Sequence, residues 1–251
     1  MNLCESHLNQ RFRVITLLSN MLSNMSKETE AKLYAEGVAT FALTFIGAGA
    51  IWVSGGDLLT VAVAHGIILS VMVSATMNIS GAHINPAVTI GFMATNRIDS
   101  KLGIQYILAQ LGGAILAGFV LYSIGADVIA GTPAPGDTII DVSTQQAILI
   151  EAILTFLLMT VIMGTAVDDR APAGIAGFGI GLVVMADILM GGPLTGAAMN
   201  PARWAGVWVW GDMGMDTANN IDLIIYTVGP IMGALLGVLL WDKMTPGEES
   251  D

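Results

Sequence analysis

Two asparagine–proline–alanine triplets stand in apolar sequence and carry polar groups that could act on a passing molecule. The triplets are Asn85-Pro86-Ala87, within SGAHINPAVT, and Asn200-Pro201-Ala202, within AMNPARW. Asparagine is a favoured helix N-cap and proline a favoured first helical residue, so each triplet predicts the start of a helix. The side-chain oxygen would cap that helix, which leaves the amide NH2 group to donate hydrogen bonds. The pattern therefore predicts paired donors for a neutral molecule.

Two glutamates in apolar segments extend this pattern into a repeat. Asn85 follows Glu36 by 49 positions, and Asn200 follows Glu151 by the same 49 positions. The whole pattern therefore recurs with an offset of 115 residues. Ionisable side chains within a membrane are costly and often functional, so both glutamates are candidate site residues.

The elements that must position these residues are membrane-spanning helices. Hydrophobic residues form 54% of the chain and charged residues only 12%, against roughly 25% charged residues in soluble proteins. The mean hydropathy is +0.73. A spanning helix needs about 20 apolar residues, and six segments meet this need: 32–53, 58–79, 104–124, 144–167, 173–190 and 221–241. The sequence predicts an all-α integral membrane protein.

The repeat is predicted to be inverted. Each unit, at about 32–126 and 144–241, contains three spans, so the second unit must enter the membrane from the opposite face. The apolar stretches 85–96 and 200–210 are too short to span and predict half-helices in re-entrant loops. Their N-termini would meet near the midplane, where two positive dipole ends would repel cations.

Charge distribution predicts the orientation. Eight of the nine Lys and Arg residues fall on one side if six helices alternate, which predicts cytoplasmic termini. A tail at 1–31 and an acidic tail at 242–251 would then flank a channel domain at 32–241. The acidic residues predicted in the outer loops are Asp57, Asp127, Asp137, Asp141, Asp212, Asp216 and Asp222.

Several other classes of protein fit the sequence poorly. A net charge of −11 would repel nucleic acid, and the single cysteine, Cys4, offers neither a disulfide nor a metal cluster. We therefore expect no metal and no cofactor. Residues 1–27 contain no convincing signal peptide. The segment 78–81 lacks the first glycine of a serine-protease pattern, so we expect no enzyme.

The sequence resembles the major intrinsic protein family, which comprises the aquaporins and aquaglyceroporins. The resemblance rests on HINPAVT, NPAR, the paired glutamates and TVGPIMGALLG, and it covers residues 32–241. It implies six tilted helices plus two half-helices, with one pore in each subunit of a homotetramer in the lipid bilayer. It also implies that Glu36 and Glu151 brace the re-entrant loops and that His83 stands near the cytoplasmic pore wall.

The resemblance further implies a narrow outer filter, whose four positions follow by spacing from the triplets. They are His65, Ile188, Ala197 and Arg203. Water-selective members usually resemble Phe, His, a small residue and Arg, so this chain departs at two positions. The combination resembles some plant vacuolar-membrane members, which pass water together with ammonia or urea. A fixed arginine charge is expected to repel cations.

The expected function is a passive channel for water, and for the small neutral solutes ammonia, urea and glycerol, that excludes protons and ions. An aquaglyceroporin-type polyol channel is the alternative, although Trp204 stands where glycerol-type members carry aspartate. An ion-coupled secondary transporter is a remoter alternative, because it would need a titratable relay across the bilayer. The expected location is the plasma or inner membrane of a prokaryote.

Asp187 is not explained by the resemblance. It neighbours Ile188, and adjacent helical residues point about 100° apart, so we expect it to face the outer re-entrant loop. There it would hold the backbone of residues 192–197. A direct bond to Arg203 or His65 is the alternative.

Overall fold

The computed structural model describes residues 25–126, 140–210 and 220–245, and these form six long and two short α-helices. The long helices are α1 (Lys27–Ser54), α2 (Leu58–Ser80), α4 (Ser100–Ser123), α5 (Thr144–Ile162), α6 (Ile175–Thr195) and α8 (Asn220–Met244). The short ones are α3 (Pro86–Ala94) and α7 (Pro201–Trp208). A π-helical turn, Met163–Val167, ends α5. Most of both tails, together with Asp127, Asp137, Asp212 and Asp216, lies outside the described residues.

All six predicted spans are confirmed as helices long and apolar enough to cross a membrane. The two largest boundary errors are equal. The first span is predicted to begin at residue 32, but α1 begins at Lys27. The fifth is predicted to end at residue 190, but α6 continues to Thr195 through Pro193. Neighbouring helices make an internal proline tolerable in a membrane helix. The helix ends at Gly196, whose φ of 77° is readily adopted by glycine and closes the last turn.

Helix packing follows the sequence repeat. In the first repeat α1 packs against α2 and α4, and in the second α5 packs against α6 and α8. The repeats join where α2 packs on α6, and each half-helix crosses into the other repeat, α3 against α8 and α7 against α4. The largest buried apolar cluster accordingly contains residues of both repeats and of both loops that precede the half-helices.

Glycines allow the helices to approach this closely. Gly229, Gly233 and Gly237 of α8 form two overlapping GxxxG patterns, and a Cβ on any of them would lie within 3.0 Å of α5 atoms. At Gly233 that Cβ would lie 2.1 Å from the carbonyl oxygen of Ala152. Small residues at membrane helix interfaces bring backbones together in this way.

Candidate functional site

The two asparagines cap the two half-helices. The Asn85 Oδ1 accepts a hydrogen bond from the Ala87 N–H at 2.8 Å, at the start of α3. The Asn200 Oδ1 accepts from the N–H groups of Ala202 and Arg203, at 3.0 and 3.2 Å, at the start of α7. Both helices begin at the prolines of the triplets, so the predicted helix starts are confirmed.

The asparagine amide groups then join the two loops to each other. Asn85 Nδ2 donates to the carbonyl oxygen of Met199 at 2.8 Å, and Asn200 Nδ2 donates to that of Ile84 at 2.9 Å. Ile84 and Met199 have φ values of 56° and 52°, a left-handed conformation that is unusual for such side chains. Conformations of this kind persist where the surroundings over-determine them, and they are concentrated at functional sites.

Glu36 holds the first loop in this conformation. One carboxylate oxygen accepts from the Ser80 hydroxyl at 2.6 Å and the His83 N–H at 2.9 Å. The other accepts from the Ile84 N–H at 2.7 Å and from the Gln110 amide at 2.8 Å. The side chain is fully buried, so these four donors replace the water that a carboxylate would otherwise need.

Glu151 does the same in the second loop, at positions related by the offset of 115. It accepts from the Thr195 hydroxyl at 2.7 Å and from the N–H groups of Ala198 and Met199 at 3.0 and 2.7 Å. Ser80 and Thr195 occupy equivalent positions in the two repeats, 115 residues apart. That signal was present in the sequence, but neither residue was predicted to belong to the site. Gln110 left no such signal, because residue 225 is an isoleucine.

A narrow lumen runs between the repeats. Its walls include all four predicted filter residues, both asparagines and His83, while the prolines and alanines of the triplets pack behind them. Apolar side chains supply most of the remaining wall: Leu43, Leu69, Val73, Val88, Leu158, Ile162, Ile180 and Val184. Among the described residues Arg203 is the one charged side chain in this wall, and no carboxylate lines it.

His65 and Arg203 are bonded at the outer end of the lumen. Arg203 Nη2 lies 3.2 Å from His65 Nε2, and His65 Nδ1 lies 2.9 Å from the carbonyl oxygen of Val61. A guanidinium only donates and a carbonyl only accepts, so Nδ1 carries the proton and Nε2 accepts. The imidazole is therefore the neutral Nδ1–H tautomer. Ile188 and Ala197, both buried, complete this part of the wall.

His83 lies toward the opposite mouth of the lumen. Its Nδ1 is 3.1 Å from the Thr89 hydroxyl, and its ring packs against Phe92 and edge-on against Tyr106, with centroids 4.7 and 5.2 Å away. The same imidazole also borders a wider cavity that contains Arg97. The ring is thus held in place where the narrow lumen widens.

Asp187 does not make the contacts expected of it. The residue is only 3% exposed, yet within the described residues no hydrogen bond links it to the backbone of 192–197, to Arg203 or to His65. Residues 192–195 belong to α6, where the helix takes up their N–H groups. The Gly196 N–H donates to the carbonyl oxygen of Gly192, and the Ala197 N–H donates to the Thr195 hydroxyl oxygen. The following two N–H groups donate to Glu151. The loop therefore has no donor left for Asp187.

Within the described ranges no group of three or more His, Cys, Asp or Glu side chains could hold a metal ion. The two buried glutamates and the two asparagines belong to a hydrogen-bonded framework around the lumen. Its two halves are completed by Tyr106 and Tyr226, whose hydroxyls donate to the carbonyl oxygens of Ser80 at 2.8 Å and Thr195 at 2.6 Å.

Several known proteins are similar to this chain in sequence and in fold. The family model for major intrinsic protein matches residues 23–241. The chain is 38% identical over 241 residues to Aquaporin AqpM of Methanothermobacter marburgensis, covering 84% of this chain and 96% of that protein. It is 38% identical over 228 residues to Aquaporin TIP4-4 of Zea mays, covering 84% of each.

A solved structure agrees with these relatives. The aquaglyceroporin from Plasmodium falciparum superposes with a TM-score of 0.76 at 25% identity, covering 87% of this chain and 97% of that one. The family model and the relatives thus match most of the chain. The chain belongs to the major intrinsic protein family.

Proposed function

We propose that this protein is a passive channel that conducts water across a membrane through the lumen between its repeats. The composition of the lumen wall carries the proposal. The wall is mostly apolar, so it binds water weakly, and the asparagine amides and re-entrant loops interrupt it with fixed polar groups. A pore that alternates in this way can pass water without holding it, because conduction requires binding weak enough for release.

Cation exclusion follows from the charges around the lumen. The N-termini of α3 and α7 meet at the two asparagines, and each helix N-terminus carries roughly half a positive charge. Arg203 adds a full positive charge at the outer end, and no carboxylate among the described residues lines the wall to offset it. A cation would therefore meet repulsion at two levels, whereas a neutral molecule would not.

The outer filter is proposed to consist of His65, Ile188, Ala197 and Arg203. The neutral imidazole and the guanidinium supply polar groups on one side, and the two apolar residues supply the other. Ammonia, urea and glycerol are proposed as further solutes. A polyol channel is the alternative, and the likeness to an aquaglyceroporin structure is compatible with it as well. Solute uptake into vesicles, compared with water flux, distinguishes the two.

An ion-coupled transporter is disfavoured by where the carboxylates lie. Glu36 and Glu151 accept hydrogen bonds from the re-entrant loops, and neither they nor Asp187 borders the lumen. The described residues therefore contain no relay of carboxylates along the lumen. Flux through a passive channel should be indifferent to an ion gradient. A dependence of flux on such a gradient would favour the transporter.

The test of the proposed function is stopped-flow light scattering on vesicles that contain the purified protein. We expect water permeability well above that of protein-free vesicles, with no cation conductance. Arg203→Val should admit larger solutes or leak cations, because it removes the fixed charge from the filter. Arg170→Val, which removes an exposed loop arginine paired with Asp168, is the control and should change neither property. Vesicles no more permeable than protein-free ones would refute the proposal.

We also propose residues 32–241 as the channel domain, with cytoplasmic tails at 1–31 and 242–251 and a homotetrameric assembly. The excess of basic residues in loops on one side supports the orientation. Native mass spectrometry in detergent measures the number of subunits. A prokaryotic plasma or inner membrane is the proposed location, which the archaeal relative supports.

A further inference from the structure

Gly47 of α1 stands directly against the His65 imidazole. A Cβ built on Gly47 would lie 2.2 Å from His65 Nε2, 2.5 Å from Cδ2 and 2.7 Å from Cε1. All three distances are shorter than 3.0 Å, which is closer than Cβ atoms approach other heavy atoms in proteins. Removing the overlap requires the ring to move by about 1 Å or more, since carbon contacts are favourable near 3.5–4.0 Å.

The atom nearest to that Cβ is the one that holds Arg203. His65 Nε2 accepts the Arg203 guanidinium N–H at 3.2 Å, and the Val61 carbonyl fixes the other ring nitrogen. We propose that Gly47 is a positioning residue for the outer filter: its missing side chain forms the recess that keeps His65 beside the lumen and bonded to Arg203. Because its consequence is a change in permeation, this inference rests on the proposed channel function.

The repeat offers an internal comparison for this recess. The offset of 115 relates Gly47 to Ile162 and His65 to Ile180, both of which line the lumen toward its other end. There a side chain stands at the counterpart of Gly47, and the counterpart of His65 is aliphatic. The glycine therefore accompanies the imidazole and is not required by the helix packing common to both repeats.

The recess also determines where a displaced ring would go. Gly47 and the α1 backbone lie on one side of the imidazole, and the lumen lies on another. A side chain at position 47 would push the ring away from α1 and toward the water path. The filter would then be narrower, and the bond between the Arg203 guanidinium and His65 Nε2 would be lost.

Four variants test this inference in proteoliposomes: Gly47→Ala, His65→Ala, the double variant Gly47→Ala/His65→Ala, and Gly49→Ala. Gly49 is the matched control, because a Cβ there would make only an ordinary contact of 3.5 Å with Leu121. We expect Gly47→Ala to lower water permeability at least about tenfold and Gly49→Ala to leave it unchanged, because pore diameter limits flux. The double variant should match His65→Ala within about twofold, since without the ring there is nothing to displace.

Equal losses from Gly47→Ala in both backgrounds would overturn the inference, because they would place its effect on helix packing. If Gly47→Ala fails to fold, folding restored by His65→Ala supports the inference, and folding not restored overturns it. A crystal or cryo-electron-microscopy structure of Gly47→Ala separates this result from the proposed function. Loss of the His65–Arg203 bond supports the recess even if the parent conducts no water, and an unmoved imidazole refutes it.

Discussion

At the scale of single residues, the buried charges serve the backbone. Glu36 and Glu151 are both fully buried, and each receives two backbone N–H groups and a hydroxyl from its own re-entrant loop. A loop of non-helical backbone at membrane depth would otherwise leave these donors without water. The carboxylates therefore stabilise the loop conformation that presents the asparagines.

Glu151→Gln should destabilise the protein. The substitution replaces an acceptor oxygen by an NH2 group that would face an N–H donor, at a cost of about 1–3 kcal/mol. We expect a lower thermal midpoint in detergent and reduced water flux. Glu28→Gln alters an exposed carboxylate paired with Lys32 and is the control, with little change expected. Equal midpoints for the parent and Glu151→Gln would contradict the bracing role.

Asn85→Asp and Asn200→Asp should each impair folding or water flux. Each substitution would replace the amide nitrogen that donates to the other loop by a carboxylate oxygen. In Asn85→Asp this oxygen would face the Met199 carbonyl oxygen, which now lies 2.8 Å from Asn85 Nδ2, and the two oxygens would repel each other. A negative charge would also stand beside the helix N-termini that we propose to repel cations. Asn96→Asp is the control, because Asn96 is an exposed asparagine that does not line the lumen. Water permeability unchanged in both lumen variants would contradict the prediction.

At the scale of elements, the helices are held by close backbone contact. The α5–α8 interface shows this most directly, with Gly229, Gly233 and Gly237 against α5. The hydrophobic effect does little between helices inside lipid, so packing and small residues supply the association. The same interface anchors Glu151, which lies on α5 beside Gly229.

Gly233→Ala should loosen this interface. Its Cβ would lie 2.1 Å from the Ala152 carbonyl oxygen, so the helices must separate, at a cost of about 1–3 kcal/mol. Gly112→Ala is the opposite case, because no atom lies near its Cβ, and it should stabilise α4 by about 0.5–1 kcal/mol. Thermal unfolding in detergent measures both. A higher midpoint for Gly233→Ala would show that the interface has room that the structure does not contain.

At the scale of the whole molecule, the inverted repeats interlock. Each half-helix packs against the last long helix of the other repeat, and each asparagine donates to the other loop. Neither half could form its loop geometry alone, because the acceptor for each amide belongs to the other half. The lumen is therefore a property of the assembled pair.

Cysteine labelling should reveal the orientation of this assembly. In a Cys4→Ser background we expect Gln145→Cys, in the first turn of α5, to react with an impermeant maleimide on intact cells. Ser100→Cys, at the start of α4, should react only after permeabilisation, since its loop carries Arg97 and belongs on the cytoplasmic side. Both positions are exposed. The reverse pattern of labelling would contradict the proposed orientation.

Much of the fold could be predicted because it depends on periodicity and local signals. The six spans follow from apolar length, the half-helices from asparagine caps followed by proline, and the inversion from an odd number of spans. The end of α6 could not be predicted in this way, because Gly191, Gly192 and Pro193 are residues typical of a helix end. Neighbouring helices stabilise them as a last helical turn.

The candidate site, like the fold, was predictable in part from the sequence. The sequence by itself determined which residues carry polarity at membrane depth, since Glu36, Glu151 and the two asparagines recur at one offset in apolar surroundings. Only the tertiary structure decided their partners: that Gln110 completes the shell of Glu36, that Asp187 has no bond to the outer loop, and that Gly47 makes room for the His65 ring. Those contacts depend on ångström distances between helices far apart in sequence, and no local pattern encodes such distances.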